Sequence, residues 1–140
     1  MKKVFVDTGA WLAVTVQRDQ YHQVAASYYL QLIAGSSLFL TTNYVLLETY
    51  TRIRYDDDLP QAIALRQSLQ QAQEARALQV VWITPEIEAE AWQIFSSYTD
   101  QSFSIVDCTS FVVARQEKVD EVFGFDKGFL TMGLLLQPGS

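Results

Sequence analysis

Val4-Phe5-Val6-Asp7-Thr8-Gly9 opens the chain with three apolar, β-branched and aromatic residues in a row, closed by a carboxylate. A short run without alternation is the pattern of a central strand covered on both faces. Working outward, the same kind of run recurs at Ser37–Leu40, at Gln79–Thr84 around Val80, Val81, Trp82 and Ile83, and at Val122–Phe125. Between these runs lie helical stretches: Ala10–Val16, Tyr21–Ala34 ended by Gly35, a helix capped by Thr41 or Thr42 and running to Arg54, one from Pro60 to Leu78, one from Thr84 to Tyr98, and one from Ser104 to Lys118. Asp56-Asp57-Asp58 with Leu59-Pro60 reads as a turn and a helix start, because acids favour a helix N-terminus and proline suits its first turn. Leu134-Leu135-Leu136 is expected to add a fifth, edge strand. Strands alternating with helices predict an α/β fold, a three-layer α/β/α sandwich around a mostly parallel sheet of four to five strands, as one domain over residues 1–140.

Four acids occupy positions that such a fold does not favour. Asp7 and Asp126 each end an apolar strand, Glu48 interrupts the apolar Tyr44-Val45-Leu46-Leu47, and Asp107 opens the helix after Ser104. A carboxylate in low-dielectric surroundings neutralises, pairs or binds a metal, since leaving it bare costs several kcal/mol. Strand C-terminal ends of open α/β sheets form the crevice where ligands bind, which is where Asp7 and Asp126 fall. Each acid also has a purely structural reading: Asp7 as a helix N-cap, Asp126-Lys127-Gly128 as a turn, Glu48 as a partly buried partner of Arg52 one turn on, and Asp107 as half of a Ser104-x-x-Asp107 capping box. An all-oxygen donor set suits Mg2+ or Mn2+ rather than zinc. His22, the one histidine, is expected on the surface of its helix and not as a ligand.

Composition narrows the partners. With 16 Asp and Glu against 10 Lys and Arg, the net charge of -6 excludes a protein that holds nucleic acid by a broad basic surface. Cys108 stands alone, so neither an internal disulfide nor a cysteine zinc cluster can form, which fits a reducing cytoplasm. The apolar start is too short for a signal peptide or a membrane span, so no membrane role is expected.

Four segments together resemble one family: Val4-Phe5-Val6-Asp7-Thr8, Thr42-Asn43-Tyr44-Val45-Leu46-Leu47-Glu48, Phe103-Ser104-Ile105-Val106-Asp107-Cys108-Thr109-Ser110, and Phe123-Gly124-Phe125-Asp126-Lys127-Gly128-Phe129. The chain resembles the PIN-domain ribonucleases, most closely the VapC-type toxins of toxin–antitoxin systems, over nearly its whole length. The resemblance implies that Asp7, Glu48, Asp107 and Asp126 form the acidic quartet of a metal-dependent endoribonuclease, with Thr8 assisting through its hydroxyl. It departs from the family at Gly124, where many relatives carry a hydroxyl, and at Gly128, where His or Asp is frequent. On this reading Asp7 and Asp107 hold the main ion, Glu48 holds or orients the attacking water, and Asp126 completes a second site. Arg52, Arg54, Arg115, Lys118 and Lys127 are candidate RNA contacts, and tyrosines and phenylalanines are candidate stacking surfaces.

The resemblance further implies a homodimer and a small cognate antitoxin that reaches into the acidic cleft, with the Tyr28, Tyr29, Leu32, Ile33 face as either contact or core. Two other enzyme classes fit less. Asp7-Thr8-Gly9 matches the short signature of aspartic proteases, but these are all-β, and aspartate-nucleophile phosphatases need a second acid where Gly9 stands. A PIN fold that binds RNA or protein without cutting is the non-enzymatic alternative.

Overall fold

The computed structural model describes residues 1–139. Along the chain come β1 (Lys3–Val6), α1 (Thr8–Thr15), α2 (His22–Ala34), β2 (Leu38–Thr42), α3 (Asn43–Asp56), α4 (Leu59–Glu74), β3 (Leu78–Val81), α5 (Pro85–Ser97), α6 (Ile105–Gln116), β4 (Glu121–Gly124), α7 (Gly128–Thr131) and β5 (Leu136–Pro138). The strands form one sheet in the order β3-β2-β1-β4-β5, and every pairing is parallel. The expected α/β architecture is therefore borne out, with five strands. β1 is central, and Val4, Phe5 and Val6 are wholly buried, as their unbroken apolar run required.

Register sorts the side chains onto two faces. Val4 lies beside Phe39 and Val6 beside Phe123, while Phe5 lies beside Leu40 and Val122. Tyr29 of α2 packs on Phe39 and Phe123, so α2 covers the first face. Phe5 meets Phe129 of α7, which meets Phe111 of α6, so these helices cover the second. Connections from β1 to β2 and from β2 to β3 move toward one sheet edge, whereas the connection from β3 returns past β1 to β4. Right-handed crossovers place helices of opposite travel on opposite faces, which produces the sandwich.

Local starts and stops follow the side-chain chemistry. Thr42 accepts a hydrogen bond from the Val45 amide, Asp58 from Gln61, and Thr84 from Ile87, capping α3, α4 and α5. Several expected boundaries shift. The helix expected to reach Leu78 ends at Glu74, because Arg76 turns into the left-handed region (φ 60°) and Leu78 is buried in register with Phe39. The left-handed residue after α2 is Ser36 (φ 56°), not Gly35. β3 stops at Val81, leaving Trp82 outside the sheet and 70% exposed. β4 begins one residue early, with the buried Glu121 accepting from the Tyr28 hydroxyl at 2.5 Å and lying 3.5 Å from Lys2 Nζ. Of the apolar tail only Leu136 joins β5, at the sheet edge, and the short α7 precedes it where the sequence reading places no helix. No helix among the described residues is long and apolar enough to cross a membrane.

Candidate active site

In the order β3-β2-β1-β4-β5 the chain departs from β1 in both directions, so the topological switch lies between β1 and β4 at their C-terminal ends. Asp7 follows β1 there, its amide donating to the Phe123 carbonyl of β4 (3.0 Å). Asp126 follows β4 by two residues. Asp7 takes the N-cap position of α1 yet makes no side-chain capping bond, so the cap reading of this residue fails and its carboxylate remains for other use. It is 8% exposed. Burial, first, and then the charges of Asp107, Asp126 and Glu48 raise its pKa from 3.8 to about 7, against the lowering effect of the Thr8 amide.

Asp107 reaches the same place from α6. Ser104 Oγ accepts from the Asp107 amide and Asp107 Oδ2 accepts from the Ser104 amide, both at 2.9 Å, completing the capping box. Its carboxyl is nonetheless raised by burial and by Asp126 and Glu48, with the Ser104 bonds pulling the other way. The cap occupies Oδ2 alone. Asp126 is exposed, and its Oδ1 accepts from the Gly128 amide (2.8 Å), so the turn reading holds as well. Asp107, Asp126 and Glu48 raise Asp7, and Asp126 and Glu48 raise Asp107, which brings all four acids into one neighbourhood.

Glu48 corrects one expectation. It is exposed rather than partly buried, because Leu47 beside it is itself 63% exposed and the helix turns Val45, Leu46, Thr49 and Ile53 inward. Its partner is also different. Thr8 Oγ1 donates to Glu48 Oε1 at 2.7 Å, while Arg52 pairs with Asp56 (3.9 Å), so the purely structural Glu48–Arg52 alternative is absent among the described residues. Thr8, the residue after Asp7, thus ties the β1 end to α3.

An aromatic chain holds the three aspartate segments in place. Tyr98–Phe103, Phe103–Phe111, Phe111–Phe129 and Phe129–Phe5 rings lie 5.7, 4.9, 5.0 and 6.3 Å apart. Phe5 precedes Asp7, Phe103 precedes the Asp107 capping box, and Phe129 follows Asp126. Such pairs add about 0.5–1.5 kcal/mol each beyond area burial. The same packing accounts for the two glycines at which the chain departs from its resemblance. A Cβ at Gly128 would stand 2.9 Å from Phe103 Cε1 and 3.2 Å from Asp126 Oδ1, and one at Gly124 would stand 3.2 Å from Asp7 Cβ. Neither a His at 128 nor a hydroxyl at 124 fits without displacing an aspartate or a ring. The signal was in the sequence as aromatics flanking each acid.

The candidate cations separate. Arg52 borders a groove of about 440 Å³ next to Glu48, with Tyr44, Leu47, Thr51 and Val106. Lys127 is exposed beside Asp126, and Arg54 is exposed near the end of α3. Arg115 donates to the Met132 carbonyl (2.8 Å), fastening α6 to the segment after α7. Lys118 lies at the far end of the sheet, where Lys3 begins β1 and its Nζ donates to the Glu117 carbonyl (2.6 Å), so it cannot flank the acids. His22 is half-buried, not a surface residue, with Nδ1 2.7 Å from the Ala13 carbonyl. Of the Tyr28, Tyr29, Leu32, Ile33 face, only Ile33 is exposed; the rest packs on the core.

The donor set that converges here is all-oxygen, the chemistry of hard cations. Among the described residues no three acids stand in an arrangement that would by itself close around an ion. The fit to a divalent cation therefore rests on donor type and on the raised Asp7 and Asp107 carboxyls, whose repulsion a cation would relieve.

Residues 4–134 match the family profile of the PIN domain. The chain belongs to the PIN-domain family. Within the PIN-domain family it is similar to the 23S rRNA-specific endonuclease VapC20 of Mycobacterium tuberculosis, with 26% identity over 132 residues, 94% of this chain and 95% of that one. The crystal structure of VapC20, described as a sarcin-ricin loop cleaving toxin, covers 94% of this chain and 96% of its own at TM-score 0.80 and 28% identity. FitAcB of Neisseria gonorrhoeae (TM-score 0.65, 16% identity, 95% of each chain) and VapBC2 of Rickettsia felis bound to promoter DNA (0.65, 14%, 96% and 97%) share the PIN fold. The resemblance read from the four segments is thus borne out.

Proposed function

We propose that this PIN-domain protein is an endoribonuclease that depends on Mg2+ or Mn2+, and that it is the toxin of a toxin–antitoxin pair. The observation that carries the reading is the buried Asp7 carboxyl, free of a capping bond and gathered with Asp107, Asp126 and Glu48 at the sheet's switch point. Similarity to an endonuclease toxin over nearly the whole chain supports the reaction class.

Asp7 and Asp107 are the residues to hold the principal ion, each with a carboxylate oxygen that capping does not use. A divalent cation bound there would supply activation of the attacking water and neutralisation of the phosphate. Glu48, with Oε1 fixed by Thr8, presents its other oxygen to that water and accepts its proton. Asp126, exposed and turned by its bond to Gly128, completes the acidic set. Four carboxylates repel an RNA backbone, and Lys127, Arg52 and Arg54 offset that repulsion locally, as the overall charge of -6 does not.

VapC20 is named for 23S rRNA, so a structured rRNA loop is the first substrate to try. We further assign to this reading a single domain, a homodimer, a small antitoxin reaching into the cleft with a basic side chain, and the cytoplasm as its compartment. The test is cleavage of stem-loop and single-stranded RNA with Mg2+ or Mn2+, comparing wild type with Asp7→Asn. Cleavage that stops with EDTA and is lost in the variant is expected. Cleavage indifferent to both would overturn metal-dependent hydrolysis at this site, and RNA binding without any cutting would leave a silent binding module.

A further inference from the structure

Tyr21 and Phe125 form the closest ring pair among the described residues, 4.3 Å between centroids and 6° from parallel. Phe125 sits between Gly124, against Asp7, and Asp126, so the pair borders the acidic cluster on its β4 side. Tyr21 remains 36% exposed. Stacking on Phe125 holds the Tyr21 ring, and hydrogen bonds hold the backbone that carries it. Its amide donates to Asp19 Oδ1 (2.8 Å), its carbonyl accepts from Ala25 (2.9 Å), and the next residue, His22, is tied to the Ala13 carbonyl. Its hydroxyl has no partner among the described residues, so no polar bond explains the ring's placement.

We propose that the Tyr21–Phe125 pair is a landing for one unpaired nucleobase of the RNA, the base stacking on the open side of Tyr21 next to the phosphate that is cut. The inference rests on the ribonuclease reading and adds where the substrate is gripped. Single-stranded RNA is recognised by bases splayed onto aromatic faces, and each such stack is sequence-tolerant because every base has a π-face. A ring already held parallel to a second ring loses little freedom on taking a third. Lys127, two residues beyond Phe125, is placed to meet the neighbouring phosphate. The grip thus holds the strand on the Asp126 side of the acids, opposite the groove beside Glu48.

The test measures binding without cutting, in EDTA, of a short single-stranded RNA carrying 2-aminopurine, by anisotropy and by quenching of the base. Tyr21→Leu keeps an apolar cover over Phe125 and removes the ring; Tyr21→Trp restores a larger one. Thermal melts confirm that both fold. Quenching in wild type, an affinity about five- to 150-fold weaker with quenching lost in Tyr21→Leu, and recovery of both in Tyr21→Trp are expected. Unchanged affinity and quenching in Tyr21→Leu would overturn the proposal even where the wild type cuts RNA. Binding with these responses, but no cleavage in either metal, would sustain the landing while overturning the ribonuclease reading.

Discussion

Replacing Asp7 by Asn should make the metal-free protein more stable at pH 8. The folded carboxyl titrates at about 7 against 3.8 for the unfolded chain, so between those values the folded state holds the extra proton. Stability therefore falls as pH rises through that window and is lowest above it. About three pH units at 1.36 kcal/mol each is ~4 kcal/mol, a large share of the 5–15 kcal/mol typical of a domain. At about 3 °C per kcal/mol for a chain of this size, the variant should melt ~10 °C higher than wild type at pH 8 in EDTA. Near pH 4, where the folded wild-type carboxyl is neutral and the unfolded one only half ionised, the gap should nearly close. Saturating Mg2+ should raise the wild-type melting temperature at pH 8 and leave the variant less affected. Calorimetric melts across pH 4 to 8 decide it. A variant less stable than wild type at pH 8, or a gap that does not depend on pH, would refute the burial and charge argument.

Three further outcomes are expected. Thr8→Val removes the 2.7 Å bond to Glu48, so RNA cleavage should drop about 10- to 100-fold in kcat with little change in KM or melting temperature; steady-state kinetics on a cleavable RNA checks the split. Gly128→Ala drives a methyl into Phe103 and against Asp126, and should lower stability by roughly 1–3 kcal/mol in urea unfolding while reducing cleavage. Ser110 Oγ is buried without a partner among the described residues, so Ser110→Ala should be neutral or stabilising by up to about 1 kcal/mol, and a clear loss of stability would point to a bond that the structure does not contain.

Sequence alone exposed the parts whose chemistry is local. Val4-Phe5-Val6 could only be a covered strand, and the Ser104–Asp107 box and the Thr42, Asp58 and Thr84 caps are written within four residues each. Features decided by distant partners were harder to see. Glu74-Ala75-Arg76-Ala77 reads as continuing helix, and only the pairing of Leu78 with Phe39 forces the turn. Glu48 looked shielded by its apolar neighbours, but a helix near the sheet edge has one buried flank, so Leu47 and Glu48 face out together. Its natural partner in sequence, Arg52, lost to a hydroxyl forty residues upstream. The four acids were visible as oddities; their convergence depended on the strand order that sets Asp7 beside β4.

Asp107 serves two masters. One oxygen starts α6 and the other is left free by the cap, so under the proposed metal-dependent reading the fraying of a helix end and the hold on a cation would be a single equilibrium. A change at Ser104, whose bonds to Asp107 lower that carboxyl's pKa, would loosen the carboxylate by the ~1 kcal/mol of a lost cap. Attenuated forms of such a protein can therefore arise from a serine outside the quartet, acting through the leash rather than the tooth.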